Sequence, residues 1–194
     1  MKIRINDVIL SYPVLFEPKA FKAEDTPAYS AAFLMEPDHE DVANVKKAMQ
    51  AAAKEKWGEK APTILKSLVA GGRICLRSGD EKSDSAGYEG KVFIASRNAI
   101  RPTVLDRDKS PLTAADGKIY AGCRVNAVLD IWAMDNKWGK RICASLLGVQ
   151  FFEDGERLAG GDRASEDDFM EIPDDGEGGG DLFGDEAIAD GIPF

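Results

Sequence analysis

Positively charged side chains share one face of two apolar segments of the chain, each of which alternates with a period of two residues. In residues 73–77 they are Arg73 and Arg77, and in residues 91–97 the equivalent positions hold Lys91, Phe93 and Arg97. Successive side chains of a strand point to opposite faces, so each segment predicts a strand with one basic face. Guanidinium and ammonium groups in such a row can neutralise phosphates, and an aromatic ring among them can stack on a planar base.

A third group of cations surrounds a tryptophan in a predicted turn. The five residues 135–139 separate two long alternating segments and predict a β-hairpin. Lys137, Lys140 and Arg141 flank Trp138 in and beside this turn. A short polar turn next to a glycine favours exposure, so Trp138 is a second candidate stacking surface.

The other aromatic residues divide into stacking candidates and packing residues. Tyr88 lies in a glycine-flanked loop and Tyr120 near the start of a predicted strand, so both remain candidates. Phe93 has a core position as its alternative, because alternation does not identify which face of a sheet is buried. Aromatic side chains dominate cores, and four others are interpreted as packing residues: Tyr12, Phe33, Trp57 and Trp132. The basic stripes have an alternative as well, since charges usually form a solvated face.

Predicted strands and two predicted helices position these candidate residues. Alternating apolar residues predict strands over residues 2–16, with a bulge at Asn6-Asp7, and over 29–35, 73–77, 91–97, 119–134 and 140–152. Helical spacing from Val42 to Ala52 predicts a helix with Asp38 as N-cap and Gly58 after its end. Pro62 opens a shorter helix that ends at Gly71-Gly72, and residues 102–117 are predicted to form a loop.

Six or seven strands with two inserted helices argue against an alternating parallel α/β sheet. The prediction is a mainly β fold, an OB-fold-like antiparallel barrel with two inserted helices. Such a barrel binds oligonucleotides on one face and in its flanking loops.

The charges of the chain are divided between a body and a tail. Eleven of the 34 acidic residues and none of the 25 basic residues lie in residues 164–194. The formal charge of −9 therefore divides into about +2 for the body and −11 for the tail. This asymmetry is typical of an interaction tail, and the Gly-, Asp- and Glu-rich composition predicts disorder. We therefore predict one folded domain over residues 1–160 and a disordered acidic tail over 161–194.

The tail finishes on apolar residues. Asp190 and Gly191 precede Ile192, Pro193 and Phe194 at the C-terminus. A segment kept only for solubility has no use for an exposed aromatic end, so this tip is predicted to bind a partner.

The sequence carries none of the motifs of common enzyme classes. It has no phosphate-binding glycine-rich loop, no Gly-x-Ser-x-Gly elbow and no His-Glu-x-x-His helix. His39 has no second histidine to share a metal, and the widely spaced Cys75, Cys123 and Cys143 predict buried free thiols. No signal-peptide pattern and no run of about 18 apolar residues is present. We expect a soluble intracellular protein without a cofactor, a metal or a membrane partner.

Two sets of residues carry a family resemblance. Residues 190–194 are similar to the Asp-Asp-Ile-Pro-Phe ending of bacterial single-stranded-DNA-binding proteins, and the acidic tail with a terminal Phe also resembles that of the T-odd phage counterpart. Residues 79–161 resemble a family of tailed-phage single-stranded-DNA-binding proteins, in motifs that follow its order: Gly87-Tyr88-Glu89-Gly90-Lys91, residues 101–106, Tyr120-Ala121-Gly122-Cys123 and Leu146-Leu147-Gly148-Val149-Gln150. The resemblance implies an OB-fold body that coats single-stranded DNA and a tail that recruits replication and recombination enzymes. Gly191 replaces an expected Asp, which is expected to weaken recognition by a host-type basic pocket.

The resulting hypothesis is a phage-encoded protein of the host cytoplasm that coats single-stranded DNA without sequence specificity and has no enzymatic activity. Its expected partners are single-stranded DNA, replication and recombination enzymes held by the tip, and its own tail, which competes for the DNA groove. Two alternatives remain. One is a carboxylate-metal nuclease built from loop residues such as Asp80, Glu81, Asp84, Asp106, Asp108 and Asp116. The other is an adaptor that acts through the acidic tail alone.

Overall fold

The computed structural model of the protein describes residues 1–20 and 22–158. The predicted tail, with its tip residues Asp190, Ile192, Pro193 and Phe194, lies outside the described residues. The division into domains 1–160 and 161–194 therefore stays a prediction.

Seven strands and two α-helices are present in the described part of the chain. The strands are β1 (Lys2–Lys19), β2 (Ala28–Met35), β3 (Leu76–Ser78), β4 (Val92–Asn98), β5 (Thr103–Leu105), β6 (Arg124–Asn136) and β7 (Gly139–Glu153). The helices α1 (Glu40–Trp57) and α2 (Ala61–Ala70) follow β2 and are joined by the 3-10 turn Gly58–Lys60. The predicted number of elements and the inserted helix pair are confirmed. Neither helix is both long and apolar enough to cross a lipid bilayer.

The strands form one curved sheet in the order β3-β4-β2-β1-β6-β7-β5, and only the β5–β7 pair is parallel. A seam of backbone hydrogen bonds then brings β4 next to β7. The Arg73 carbonyl accepts from the Ile142 N–H of β7 at 3.1 Å, and the Cys75 carbonyl accepts from the Ala95 N–H of β4 at 3.0 Å. Because residues 73–75 hydrogen-bond to both strands, the sheet curves into an OB-like barrel. The predicted fold class is confirmed.

Two bulges shape β1. The first lies between Ile5 and Val8, where Asp7 has a φ of 52°, as the sequence predicts. The second lies between Ser11 and Val14 and includes Tyr12, whose φ is 46°. A positive φ is costly for a residue with a side chain, and the surrounding pairing of β1 with β2 and β6 must impose it. The second bulge turns Tyr12 out of the barrel, so the prediction that Tyr12 packs in the core is wrong.

Helix α1 begins one residue later than predicted. Its N-cap is His39 and not Asp38: the His39 Nδ1 accepts from the Asp41 backbone N–H at 3.2 Å. The buried Asp41 carboxylate accepts from the Asn6 N–H at 2.8 Å, which fixes the helix to the first bulge of β1. The only histidine of the chain thus serves as a helix cap, a structural role.

The core fills the barrel and extends beneath α1. Phe33, Ile94, Val125 and Leu129 are fully buried in it together with Val45 of α1. A smaller cluster lies on the other face of β2 and β4 and consists of Ala32, Leu34, Tyr88 and Phe93. Alternation along β4 therefore separates Ile94 from Phe93 as predicted, and both faces are covered.

Candidate nucleic-acid interface

A groove of about 890 Å³ crosses the barrel face at the seam between β4 and β7. Small side chains line its floor, among them Ser30, Ala31, Ala95 and Ala144. Six cationic residues line it as well: Lys19, Arg73, Arg77, Lys82, Arg97 and Arg141. No carboxylate side chain belongs to this lining in the described part of the chain. An open channel with cationic walls and a low floor admits an extended polyanion.

Arg77 and Lys82 lie on a cluster of aromatic rings at one part of the groove. The Arg77 guanidinium carbon is 5.0 Å from the ring centroid of Phe93, and the Lys82 ammonium is 5.3 Å from the same centroid. Lys82 is also within 6 Å of the rings of Tyr88 and Tyr12. The quadrupoles of these rings stabilise both cations where they can meet a phosphate.

The Nε of Arg77 is a buried donor without a hydrogen-bond acceptor among the described residues. A Glu81 carboxylate oxygen is 3.3 Å away, so the two groups attract one another as charges without forming a hydrogen bond of good geometry. A buried donor without an acceptor favours binding of an incoming acceptor, because the free-energy cost of removing the donor from water has already been met on folding. A phosphate oxygen in the groove would meet that requirement.

Tyr12 is an exposed aromatic residue at the rim of the groove. Its side chain is 56% exposed, and its hydroxyl donates to Ser85 Oγ at 3.2 Å. The ring lies 6.2 Å from that of Tyr88, which holds it against the aromatic cluster. Tyr12, Lys19 and Lys82 are the aromatic and cationic residues of the lining that are absent from the predicted set. The sequence gives no signal for Tyr12, because its exposure results from the second bulge of β1.

Trp138 occupies the two-residue turn of the β6–β7 hairpin, beside another part of the groove. The turn is shorter than the predicted five residues, because Asn136 already pairs with Gly139. Trp138 is 74% exposed, which confirms the exposure expected from the sequence, and Lys137 lies 5.1 Å from its ring. A Cβ atom on Gly139 would lie 2.9 Å from Nη1 of Arg73, so the turn and the groove cation are in contact.

Four of the predicted cations lie in the groove, and three do not. Arg73, Arg77, Arg97 and Arg141 are in its lining, and an Arg97 Nη2 donates to the Thr26 carbonyl at 2.6 Å. Lys91 instead forms an ion pair with Glu36 at 2.5 Å, and Lys137 covers the ring of Trp138. Lys140 pairs with Asp135 and lies 5.7 Å from the ring of Trp57, so it fastens the hairpin to the end of α1.

Tyr88 and Phe93 do not provide stacking surfaces, in contrast to the prediction. Both side chains have a relative exposure of 0%. Residues 79–91 fold back over the outer face of β4, where the Gly79 N–H donates to the Lys91 carbonyl at 2.7 Å. Burial is the main reason that the pKa of Tyr88 is raised. The two rings therefore support the cations above them and leave base stacking to exposed rings.

Tyr120 also has a structural role. Its hydroxyl donates to Asp154 at 2.9 Å and accepts from the Gly155 N–H at 3.0 Å. The guanidinium carbon of Arg157 lies 4.1 Å from its ring centroid and covers one face. Tyr120 is absent from the groove lining and fastens the segment that follows β7. Trp132, interpreted as a packing residue, is partly exposed, with its Nε1–H donating to Ser145 Oγ at 2.9 Å.

Two thiols line the groove without forming a nucleophilic site. Burial raises the pKa of Cys75 to about 12 and also raises the pKa of the half-buried Cys143. The thiolate is the reactive form of cysteine, so neither side chain is activated at neutral pH. Cys75 and Cys123 are buried free thiols as predicted.

Three carboxylates of the nuclease alternative, Asp106, Asp108 and Asp116, have local hydrogen-bond partners. A hydrogen bond from Lys118 is the main cause of the lowered pKa of Asp106, and bonds from Ser110 lower that of Asp108. Asp116 accepts from the backbone and side chain of Thr113. Within residues 1–20 and 22–158, no group of three or more His, Cys, Asp and Glu side chains is placed to hold a metal ion.

Solved structures of similar fold come from bacteriophage proteins. The single-stranded DNA-binding protein from bacteriophage Enc34 in complex with ssDNA is 28% identical, with a TM-score of 0.69 over 81% of this chain and 89% of that one. Its C-terminal truncation is 29% identical, with a TM-score of 0.66 over 80% and 88%. The T7-encoded single-stranded DNA binding protein gp2.5 is 12% identical, with a TM-score of 0.54 over 91% and 97%, a likeness of fold alone.

Sequence comparisons lead to the same group. Protein p50 of Acyrthosiphon pisum secondary endosymbiont phage 1 is 40% identical over 175 residues, which is 89% of this chain and 94% of that protein. The model of the family described as "Enterobacter phage Enc34, ssDNA-binding protein" matches residues 1–178. These matches confirm the resemblance to tailed-phage proteins, and the chain belongs to the Enc34 single-stranded-DNA-binding protein family.

Proposed function

We propose that this chain coats single-stranded DNA without sequence preference. The observation that carries the proposal is the groove at the seam, which six cations line and no carboxylate of the described residues enters. Phosphates follow the cations Arg73, Arg77, Lys82 and Arg141, while bases stack on the exposed rings of Tyr12 and Trp138. Every base has a face that can stack on an aromatic ring, so this arrangement tolerates any sequence.

The direct test is a fluorescence titration of the full chain with oligothymidine at several salt concentrations. Stacking on Trp138 should quench tryptophan emission, and the Trp138→Phe variant should lose most of that quenching. If all six cations meet phosphates, the slope of log K against log salt should approach about −4, at about −0.7 for each neutralised phosphate. A slope near zero, or no binding, would overturn the proposal.

The same titration separates the two alternatives. An adaptor that acts through the acidic tail alone would leave the tryptophan emission unchanged on addition of DNA. A carboxylate-metal nuclease would shorten a labelled strand in magnesium or manganese, whereas a coating protein only retards it in a gel. The comparisons support the coating protein, because the matching family model and the Enc34 structures are both described as single-stranded DNA-binding proteins.

The acidic tail is proposed to act in two ways during phage replication and recombination. Its eleven carboxylates belong to the same chain as the groove, which gives them an effective concentration of order millimolar. They therefore compete with DNA for the groove cations. Its apolar tip, residues 190–194, recruits replication and recombination enzymes. A body with a formal charge of about +2 relies on locally clustered cations, which makes it sensitive to such a competitor.

A further inference from the structure

The face of β7 that lines the cationic groove at the seam continues onto β6. Arg141 and Cys143 of β7 belong to the lining of that groove. Cys143 is the register partner of Trp132 in β6. Directly opposite residues of an antiparallel pair lie on the same face, with their Cβ atoms about 5 Å apart. Trp132 therefore lies beside the groove, on the same outer face of the sheet.

The ring of Trp132 is both accessible and held in place. Trp132 is 39% exposed, and its Nε1–H donates to Ser145 Oγ at 2.9 Å. Ser145 lies two positions after Cys143 in β7, so the hydrogen bond runs along the outer face. A ring whose orientation is already fixed loses little conformational freedom when a base stacks on it. Trp132 therefore has the properties of a stacking surface.

A recess of about 300 Å³ lies farther along this outer face. Val128 of β6 lines it opposite Gly148 of β7, which has no side chain to fill the space. Val128 is four positions from Trp132 and therefore on the same face, roughly 13 Å away along the strand. Asn126 and Gln150 continue the lining as another register pair. The outer face thus connects the groove, Trp132 and the recess.

Two cations of β1 line the recess without an ion-pair partner. Lys2 and Arg4 are exposed, and their register partners in β6 are Asp130 and Val128. Neither cation forms an ion pair within residues 1–20 and 22–158. The recess lining contains no carboxylate from those residues. Both positive charges are therefore available to a phosphate.

Asp130 places a negative charge on the outer face between Trp132 and the recess. Its Oδ1 accepts a hydrogen bond from the Met1 ammonium at 2.7 Å. The positive charge of that ammonium offsets the charge of the carboxylate where a phosphate would pass. Lys2 and Arg4 therefore remain as uncompensated positive charge at this end of the face.

We propose that the outer strip, formed by Trp132, Lys2, Arg4 and the recess, is a second contact surface for single-stranded DNA. A strand that leaves the cationic groove at Arg141 stacks a base on Trp132, and its next phosphates reach Lys2 and Arg4. Continuity with the groove and the unpaired cations select this occupant, because an unpaired strand offers both phosphates and free base faces. The inference rests on the proposed coating function and extends the path of the strand beyond the seam.

The outer strip predicts that its cations matter only for a strand long enough to reach them. Gln150 in the recess is seven positions from Cys143 in the groove, roughly 23 Å along β7. OB-folds cover about 4–16 nucleotides of single strand. Oligothymidines of about 4 and about 16 nucleotides therefore compare a strand confined to the groove with one that spans both surfaces.

A double variant of the full chain, Lys2→Gln with Arg4→Gln, tests the outer strip in salt titrations with the two oligonucleotides. For the long one, the affinity should fall at least about fivefold and the magnitude of the log–log salt slope by about 1.4, the share of two phosphates. For the short one, the affinity should stay within about twofold, because its phosphates remain in the groove. Urea unfolding checks that the variant keeps its fold.

A matched double variant gives the control. Lys46→Gln with Lys47→Gln removes the same charge from exposed positions of α1 that line neither the recess nor the groove. It should bind both oligonucleotides as the unmodified chain does. Equal affinities of the two double variants for the long oligonucleotide would overturn the outer strip. Failure of the unmodified chain to bind either oligonucleotide would instead contradict the coating function, so the two failures are distinguishable.

Photo-crosslinking tests the contact with Trp132. The full chain is irradiated with the long oligothymidine carrying iododeoxyuridine at one end or the other, and then digested with trypsin. Cleavage after Arg124 and Lys137 separates the peptide of Trp132, residues 125–137, from the peptide that begins at Trp138. At least one of the two labelled oligonucleotides should form an adduct at Trp132. Adducts confined to other peptides with both labels would contradict the proposed path.

Discussion

Two cations that lie on similar predicted stripes, Arg73 and Lys91, have different surroundings in the fold. The Lys91 ammonium pairs with Glu36 outside the groove, while Arg73 is exposed in the groove lining beside Gly139. A phosphate at Lys91 would have to displace Glu36, and a phosphate at Arg73 meets a cation already directed at the channel. The two residues should therefore contribute unequally to DNA affinity.

Replacement of these cations by glutamine tests the difference. Arg73→Gln should weaken oligothymidine binding and reduce the magnitude of the log–log salt slope by about 0.7, the share of one phosphate on a single strand. Lys91→Gln should leave both the affinity and the slope close to those of the unmodified chain. Salt titrations followed by tryptophan fluorescence provide both quantities. A larger loss of slope in Lys91→Gln than in Arg73→Gln would contradict the assignment.

Tyr12 is expected to stack on a base through its exposed ring. Tyr12→Ala should lower DNA affinity by about 1–3 kcal/mol, or about 5- to 150-fold, which is the usual range for one base–aromatic stack. Tyr12→Phe keeps the ring and removes only the hydroxyl that donates to Ser85, so its affinity should stay within about twofold. Equilibrium titration gives the affinities, and urea unfolding checks both folds. An unchanged affinity in Tyr12→Ala would exclude Tyr12 from the interface.

The sequence predicts which face of a strand a residue occupies more readily than it predicts whether another segment of the chain buries that face. Period-two alternation correctly places Phe93 and Arg97 on the face opposite Ile94. It does not show that residues 79–91 fold over Phe93, because that contact depends on the path of a loop and not on a local pattern. The prediction that Tyr12 packs in the core is wrong for the converse reason. A bulge reverses the direction of the Tyr12 side chain, and no residue of β1 signals the positive φ.

At the scale of elements, the β6–β7 hairpin carries both a stacking residue and a link to the groove. Gly139 has a φ of 105°, and a Cβ there would lie 2.9 Å from Nη1 of Arg73. Gly117, at the end of the 3-10 turn Ala114–Asp116, has a φ of 64° and no heavy atom within 4 Å of such a Cβ. The two glycines thus share a positive φ, which would strain a residue with a Cβ, and they differ in their contact with a groove residue.

Alanine at each glycine separates strain from groove geometry. Gly139→Ala and Gly117→Ala should both lower the free energy of unfolding by about 1–3 kcal/mol, because a side chain at positive φ is strained. Only Gly139→Ala should also weaken DNA binding, since its Cβ displaces the Arg73 guanidinium. Urea unfolding and oligothymidine titration measure the two effects. Equal DNA affinities for both variants would show that the turn does not position Arg73.

Long elements were predictable, and short strands were not. The long alternating runs of β6 and β7 define those strands without help from a partner. By contrast, β3 is limited to Leu76–Ser78, and β5 lies inside the region predicted as a loop. Strands of three residues exist because a neighbour pairs with them, as Thr103 pairs with Gly148, and their own sequence is too short to show a period.

At the scale of the whole molecule, the net charge of the chain does not indicate the charge of the groove. The chain has a formal charge of −9, and the negative excess belongs to residues 164–194. The six groove cations come from six places in the chain: β1, the segment after α2, β3, the 3-10 turn Gly79–Lys82, β4 and β7. The negative charge of residues 164–194 can be predicted from amino-acid composition alone. The cationic groove requires the fold, because its members are far apart in sequence.

Removal of residues 164–194 should strengthen binding to single-stranded DNA, because it removes eleven carboxylates tethered to the cationic groove. The gain should be largest at low salt and should shrink as screening increases. Comparison of full-length and truncated chains over a salt series measures it, with a tail of unchanged length in which the eleven acids become Asn or Gln as the control. Equal affinities at low salt for all three chains would contradict competition by the tail while leaving recruitment by the tip possible.

DNA bound in the proposed groove would lie across the seam between β4 and β7. Arg97 belongs to β4 and Arg141 to β7, and both line the groove that runs across the seam. Residues 73–75 hold the two strands together there through isolated backbone hydrogen bonds to Ile142 and Ala95. A strand of DNA bound to both arginines would therefore link β4 to β7 across the seam, in addition to those two hydrogen bonds. The bound DNA would thus help to keep the barrel of the protein closed.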